Sequence, residues 1–146
     1  MYVQKISVSN FRLLEDVNLS LEKRITVIVG RNNSGKTSLT ELFRRLLSDK
    51  SPCFRLEDFS LSAHEKFWHS YQNLQAGEAE NAVRATLPAI EIRLSVDYES
   101  NRSSYGPLSE FIIDLNPACT EAIINVRYEL EKGKLLTFFK DIVLNT

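Results

Sequence analysis

Eight consecutive residues carry most of the chemistry this sequence can perform: Gly30-Arg31-Asn32-Asn33-Ser34-Gly35-Lys36-Thr37. They satisfy G-x-x-x-x-G-K-[ST] at every defined position, a pattern that wraps backbone amides around phosphate oxygens. Each residue type has a task. Gly30 ends a strand, and Gly35 lets the backbone come close to the anion. The amides of residues 32–37 point inward as a cradle. Lys36 reaches the β- and γ-phosphates and is the candidate catalytic residue. The Thr37 hydroxyl is the candidate magnesium ligand, with Ser38 a lesser neighbour. The cation bridges phosphate oxygens and neutralises charge that shifts during transfer. The ligand implied is a nucleoside triphosphate with Mg2+.

A bare pattern of this kind also arises by chance, so its flanks decide its weight. A buried strand must precede it and a helix must follow. Ile25-Thr26-Val27-Ile28-Val29 is nearly continuous β-branched sequence and reads as a central strand covered on both faces. After the loop the period changes. Leu39, Leu42, Phe43, Leu46 and Leu47 form one helical stripe, which Pro52 closes at residues 48–51.

The remaining elements must position this unit. Residues 3–11 read as a strand with imperfect alternation, and residues 17–21 as a strand with one wet face. Residues 63–76 are helix-compatible, with Phe67, Trp68, Tyr71 and Leu74 as the packing face, and residues 78–87 suit a second short helix before Pro88. His64 and His69 lie five apart and do not share a helix face as a metal pair needs. Residues 90–98 alternate cleanly as an amphipathic strand. Residues 101–104 read as a polar turn, residues 107–115 as a short helix and Asn116-Pro117 as a break. Residues 124–130 and 134–139 read as a hairpin about Lys132-Gly133. Three regions follow: 1–50 with the loop, 51–89 as a helical insertion, and 90–146 as antiparallel strands. The class is α/β with a mixed sheet.

Composition excludes several functions. The 146 residues suffice for one domain or one piece of a larger one. With 43% hydrophobic residues the chain can build a core. A formal charge of -1 gives no global pull toward nucleic acid, although Arg24, Arg31, Arg44 and Arg45 add local positive charge. Cys53 and Cys119 form no C-x-x-C pair and fit a reducing compartment. The N-terminus lacks the pattern of a signal peptide, and no apolar run reaches membrane length. A cytoplasmic protein without membrane partners is expected.

The loop and its upstream residues resemble a known family. Ile6, Val8, Asn10-Phe11-Arg12, Leu19, Leu21 and residues 30–39 are similar to the ABC-type ATPases of the RecF and SMC group. The nearest subgroup is the OLD (overcoming lysogenization defect) family, and the match is strong over residues 5–47. The resemblance implies a P-loop NTPase fold and the N-terminal lobe of an ATP-binding head that dimerises around nucleotide. It assigns the phosphate and magnesium roles to Lys36 and Thr37. It gives Asn33 a part in positioning the γ-phosphate or its cation. Arg12 it brings toward nucleotide phosphate or the dimer interface, against the plainer reading of a solvent-facing arginine at a strand end. It implies adenine as the base and DNA, with an associated nuclease or effector, as partners. A guanine-reading N-K-x-D segment does not follow the loop.

Complete heads of this family also carry a signature segment, an apolar strand ending in Asp-Glu, and a switch histidine. None is found in the sequence. Ile112-Ile113-Asp114 imitates the acidic strand, but Leu115 stands where the catalytic Glu belongs. The expectation is an ATP- and magnesium-binding lobe that hydrolyses weakly or not at all by itself. The alternatives are an intact small nucleoside-triphosphatase and a non-enzymatic interaction or sensing module that retains the loop.

Overall fold

The computed structural model describes residues 2–48, 53–98 and 120–144. Its centre is a four-stranded sheet, β1 (Tyr2–Phe11), β2 (Leu14–Ser20), β3 (Ile90–Asp97) and β4 (Glu121–Tyr128), in the order β2-β1-β3-β4. Every neighbouring pair is antiparallel. The helices are α1 (Lys36–Ser48), α2 (Leu61–Gln75), α3 (Glu80–Thr86) and α4 (Leu135–Leu144), with a 3-10 turn at Leu56–Asp58.

The register follows from the alternation of apolar residues. Ile6 stands between Leu19 and Leu94, and Val8 between Val17 and Ile92. Ile92 and Leu94 in turn face Val126 and Ile124. A one-residue slip would turn this whole set to water, so burial on one face locks the pairing. The opposite face is polar. Ser7 donates to Asn18 Oδ1 at 2.6 Å, and Arg127 pairs with Glu91 at 3.3 Å. The imperfect alternation of β1 has a local cause: the register shifts between Val3 and Lys5, a bulge that resets which side chains point inward.

The core lies between the inner sheet face and the helices. Ile6, Val8, Ile90 and Ile92 pack with Leu39 and Leu42 of α1 and with Ala63 and Phe67 of α2. Leu47, counted in the α1 stripe from sequence, is 81% exposed, and Trp68 of α2 is 57% exposed. Each lies at the margin of its helix's apolar arc, beyond the reach of the sheet. Ser60 caps α2 by accepting the Ala63 amide, one of the free donors at a helix start.

Two sequence expectations are overturned. Residues 134–139 do not return as a strand. Gly133 does take a positive φ of 78°, but the chain enters α4 directly after it. Leu135, Phe138 and Phe139 stand at i, i+3 and i+4, a helical spacing that the run of apolar types obscured. Leu135 and Phe139 are buried against Val83 of α3. The second correction concerns residues 25–29, which are in no strand. Ile25, Val27 and Val29 are each more than three-quarters exposed. The four antiparallel strands leave this β-branched run without a backbone partner among the described residues. The readings at residues 101–104, 107–115 and 116–117, the Ile112-Ile113-Asp114 run, and Cys119 lie outside the described residues. No helix among the described residues is long and apolar enough to cross a membrane.

Candidate functional site

The phosphate loop runs into α1 without an intervening residue, because Lys36 is both the last charged residue of the motif and the first of the helix. The unpaired amides at the helix start, and the positive end of its dipole, therefore face the loop interior. Asn33 at φ 64° and Gly35 at φ 84° turn the chain into the left-handed region. Such alternation directs successive amides to one side and makes an anion-binding concavity. Residues 32–38, together with Leu13, line a cavity of about 280 Å³ at this point.

A side chain meets a neighbour at both glycines, and at Gly35 the left-handed φ adds backbone strain. A β-carbon on Gly30 would stand 2.8 Å from Ser34 Oγ, and one on Gly35 would stand 2.9 Å from Leu14 Cδ2. Gly35 is thus pressed against the start of β2.

The Lys36 ammonium folds back over the loop. Nζ donates to the Gly30 carbonyl at 2.6 Å, to the Arg31 carbonyl at 2.5 Å and to Ser34 Oγ at 3.2 Å. Gly30, Arg31 and Ser34 therefore join the site as acceptors for the lysine, which holds a cation at the mouth of the cavity. Thr37 is exposed at the first turn of α1, and Ser38 is buried beside it. Thr40 Oγ1 donates back to the Lys36 carbonyl at 3.1 Å, which steadies that turn.

Arg12 lies elsewhere. Its Nε and Nη2 donate to Asp58 Oδ1 at 2.9 and 2.7 Å, so the guanidinium is turned toward the 3-10 turn. The Asn10-Phe11-Arg12 segment has a structural reason for each type. Asn10 adopts φ 62°, which asparagine tolerates, and its Nδ2 donates to the Ala89 carbonyl at 2.7 Å. Phe11 is fully buried and bridges to Phe59. Arg12 adopts φ 49° in the two-residue turn between β1 and β2.

Two of the other arginines are neutralised locally. Arg44 and Arg45 both bond to Glu41, whose carboxyl they hold down to about 2. Arg45 also bonds to Asp58. Burial opposes ionisation of Asp58, but hydrogen bonds from Arg45, the Arg55 amide and Arg12 outweigh it and keep the carboxyl below its usual value. The sequence reading missed Asp58 and Leu13. No local pattern marks either one, because each is defined by what lies across the fold from it.

Comparisons with known proteins give the family of the chain. Residues 1–142 match the family model described as the AAA ATPase domain. The chain is similar to three proteins named DNA replication and repair protein RecF. It is 43% identical to that of Bacillus cytotoxicus over 51 residues, 35% of this chain and 14% of the relative. It is 49% identical to that of an Arthrobacter species over 41 residues, 28% of this chain and 10% of the relative. It is 35% identical to that of Actinobacillus pleuropneumoniae serotype 5b over 72 residues, 43% of this chain and 20% of the relative. The chain thus spans a fifth or less of each of these relatives. An antiparallel sheet with a mixed α/β surround, a loop that turns through left-handed residues into a helix start, and a family match over nearly the whole length lead to one assignment: the chain belongs to the AAA ATPase domain family, within the P-loop NTPases and related to RecF.

Proposed function

We propose that the chain binds ATP with Mg2+ and serves as the N-terminal lobe of a larger DNA-processing ATPase. The observation that carries this reading is the Lys36 ammonium at the mouth of a cavity walled by loop amides and a helix start. Those groups suit a polyphosphate: a flexible cation, inward amides and a favourable dipole converge on one volume. Bound phosphate would take over the Lys36 bonds now made to Gly30, Arg31 and Ser34. Thr37 would hold the magnesium ion with its hydroxyl, and the ion would supply charge neutralisation between phosphates. Asn32, Asn33 and Ser38 would complete the rim. Adenine as the base comes from the family alone.

The lobe part of the proposal draws on residues 25–29. An apolar β-branched run immediately before a phosphate loop, exposed on both faces, suits a strand whose partners belong to further polypeptide. A second lobe would also bring the acidic residues for hydrolysis, and the nucleotide would then sit in a dimeric head. The names of the RecF relatives favour a role in DNA replication or repair. The narrower OLD-family and phage-defence reading, with its associated nuclease, has only the resemblance over residues 5–47 behind it. A cytoplasmic site of action accompanies either reading.

The test is calorimetric titration of the chain with MgATP, beside a turnover assay. Saturable binding that Lys36→Ala abolishes, with little or no turnover, is the expected result. Absence of binding in the wild type overturns the nucleotide reading. Robust turnover by these 146 residues overturns the lobe reading.

A further inference from the structure

Residues 53–89 contribute nothing to the lining of the loop cavity. They nevertheless meet the supports of the loop: the Cys53 carbonyl accepts from Arg45 Nη1 at 3.1 Å, the Phe54 ring lies 5.5 Å from the Arg45 guanidinium, and Asp58 reaches both Arg12 and Arg45. Asp58 closes the 3-10 turn and is 3% exposed. Its Oδ1 accepts from Arg12 Nε and Nη2, and from Arg45 Nη2 at 3.1 Å. Its Oδ2 accepts from Arg45 Nη1 at 2.5 Å and from the Arg55 amide at 3.0 Å. Its carbonyl accepts the Arg12 amide at 2.8 Å.

Each arginine leads to the phosphate loop by a separate route. Arg12 begins the turn that continues as Leu13, a wall of the cavity, and Leu14, the residue pressed on Gly35. Arg45 belongs to α1, whose first residue is Lys36. The turn needs a tether, because Arg12 sits at a left-handed φ that disfavours a residue with a β-carbon. Helix α1 has a partner of its own in Glu41 for Arg45, but that pair lies within the helix and fixes nothing outside it. Among the described residues, Asp58 is the side chain whose hydrogen bonds reach both turn and helix, beside the stacking of Arg45 over Phe11 at 5.9 Å.

We infer that Asp58 is a positioning residue for the phosphate loop, holding the Arg12–Leu13 turn and α1 in the relative setting in which Gly35 and Lys36 face bound phosphate. The helical segment that carries Asp58 is thereby coupled to nucleotide binding, and the coupling runs in both directions. The inference rests on the ATP-binding reading for its functional consequence, and not for the bracing itself.

The experiment compares the 146-residue wild type with Asp58→Asn, Arg12→Gln and Val83→Ala. Val83 is fully buried in the separate cluster formed with α4, so its truncation lowers the melting temperature without touching the brace. Two readouts are taken: backbone hydrogen exchange at residues 13–14 and 35–45 without nucleotide, and MgATP affinity. Asp58→Asn is expected to speed exchange in both segments and to weaken MgATP binding by roughly tenfold, the scale of a small misplacement of binding groups. Arg12→Gln is expected to speed exchange at residues 13–14, with a smaller loss of affinity. Val83→Ala is expected to leave both readouts at wild-type values despite its lower melting temperature. Wild-type exchange in a folded Asp58→Asn chain overturns the inference. So does an affinity loss in Val83→Ala equal to that in Asp58→Asn. Should Asp58→Asn not fold, Arg12→Gln decides, and unchanged exchange at residues 13–14 overturns the inference. Should the wild type bind no MgATP, the nucleotide reading falls, while the exchange comparison still decides the bracing.

Discussion

Leu14 Cδ2 stands 2.9 Å from the point where a β-carbon on Gly35 would lie, so the phosphate loop rests directly on the first residue of β2. Glycine is also the residue type that takes φ 84° without strain. Gly35→Ala therefore meets both a clash and a backbone penalty. We expect it to destabilise the chain by about 1–3 kcal/mol, from the left-handed backbone plus overpacking. It should also abolish saturable MgATP binding. Urea unfolding and titration check the two parts, and wild-type behaviour in both would refute the packing argument.

Lys36 presents a different balance. Its bonds to Gly30, Arg31 and Ser34 are exposed. Exposed hydrogen bonds contribute little net stability, because water replaces them. Lys36→Ala should change unfolding free energy by less than about 1 kcal/mol while eliminating nucleotide binding. A loss of several kcal/mol would mean that the loop depends on the lysine for its fold.

The apolar run before the loop makes an opposite prediction to that of a buried strand. With Val27 at 76% and Val29 at 84% exposure, replacing both by Lys should leave stability within about 0.5 kcal/mol of wild type. Self-association should fall, since an exposed apolar stretch with unpaired backbone is a site of sticking. Leu42→Ala in α1, fully buried, should cost about 2–5 kcal/mol by the same assay. Leu47→Ala, on the exposed side, should be close to neutral. Sedimentation and denaturant titration separate these cases.

Asp58 sets a pH dependence. Its carboxyl has a lower pKa in the folded chain than its usual value of 3.8, so the folded state favours the ionised form. That stabilisation is fully present above the unfolded pKa and is lost as pH falls through the folded value. The advantage of wild type over Asp58→Asn should thus be constant at neutral pH and shrink below about pH 4. Removing one partner from a buried pair costs about 3–5 kcal/mol, which bounds the difference at neutral pH. Unfolding curves at stepped pH test this, and a difference that grows on acidification would reverse the sign and defeat the argument.

The phosphate loop and the α/β class were legible in the sequence because both rest on local rules. Gly30, Gly35, Lys36 and Thr37 are defined by spacing along a few residues. The strands at residues 3–11 and 90–98 are marked by alternation that any half-buried sheet imposes. Residues 134–139 mislead because Leu135-Leu136 and Phe138-Phe139, split by Thr137, fit two periods at once. Only the packing of Leu135 and Phe139 on Val83 selected the helical one. Residues 25–29 were misread for the opposite reason. Their β-branched types state what the segment favours, but a strand exists only when another backbone supplies its hydrogen bonds, and no strand of the β2-β1-β3-β4 sheet pairs with it. The three-dimensional arrangement also decided the destination of Arg12, since a guanidinium goes to the carboxylate that folding brings within reach, and Asp58 lies 46 residues away. By itself, then, the sequence determined the loop motif and the helix that follows it, through short-range spacing. Tertiary structure decided what holds those residues in place, through contacts between segments far apart in the chain.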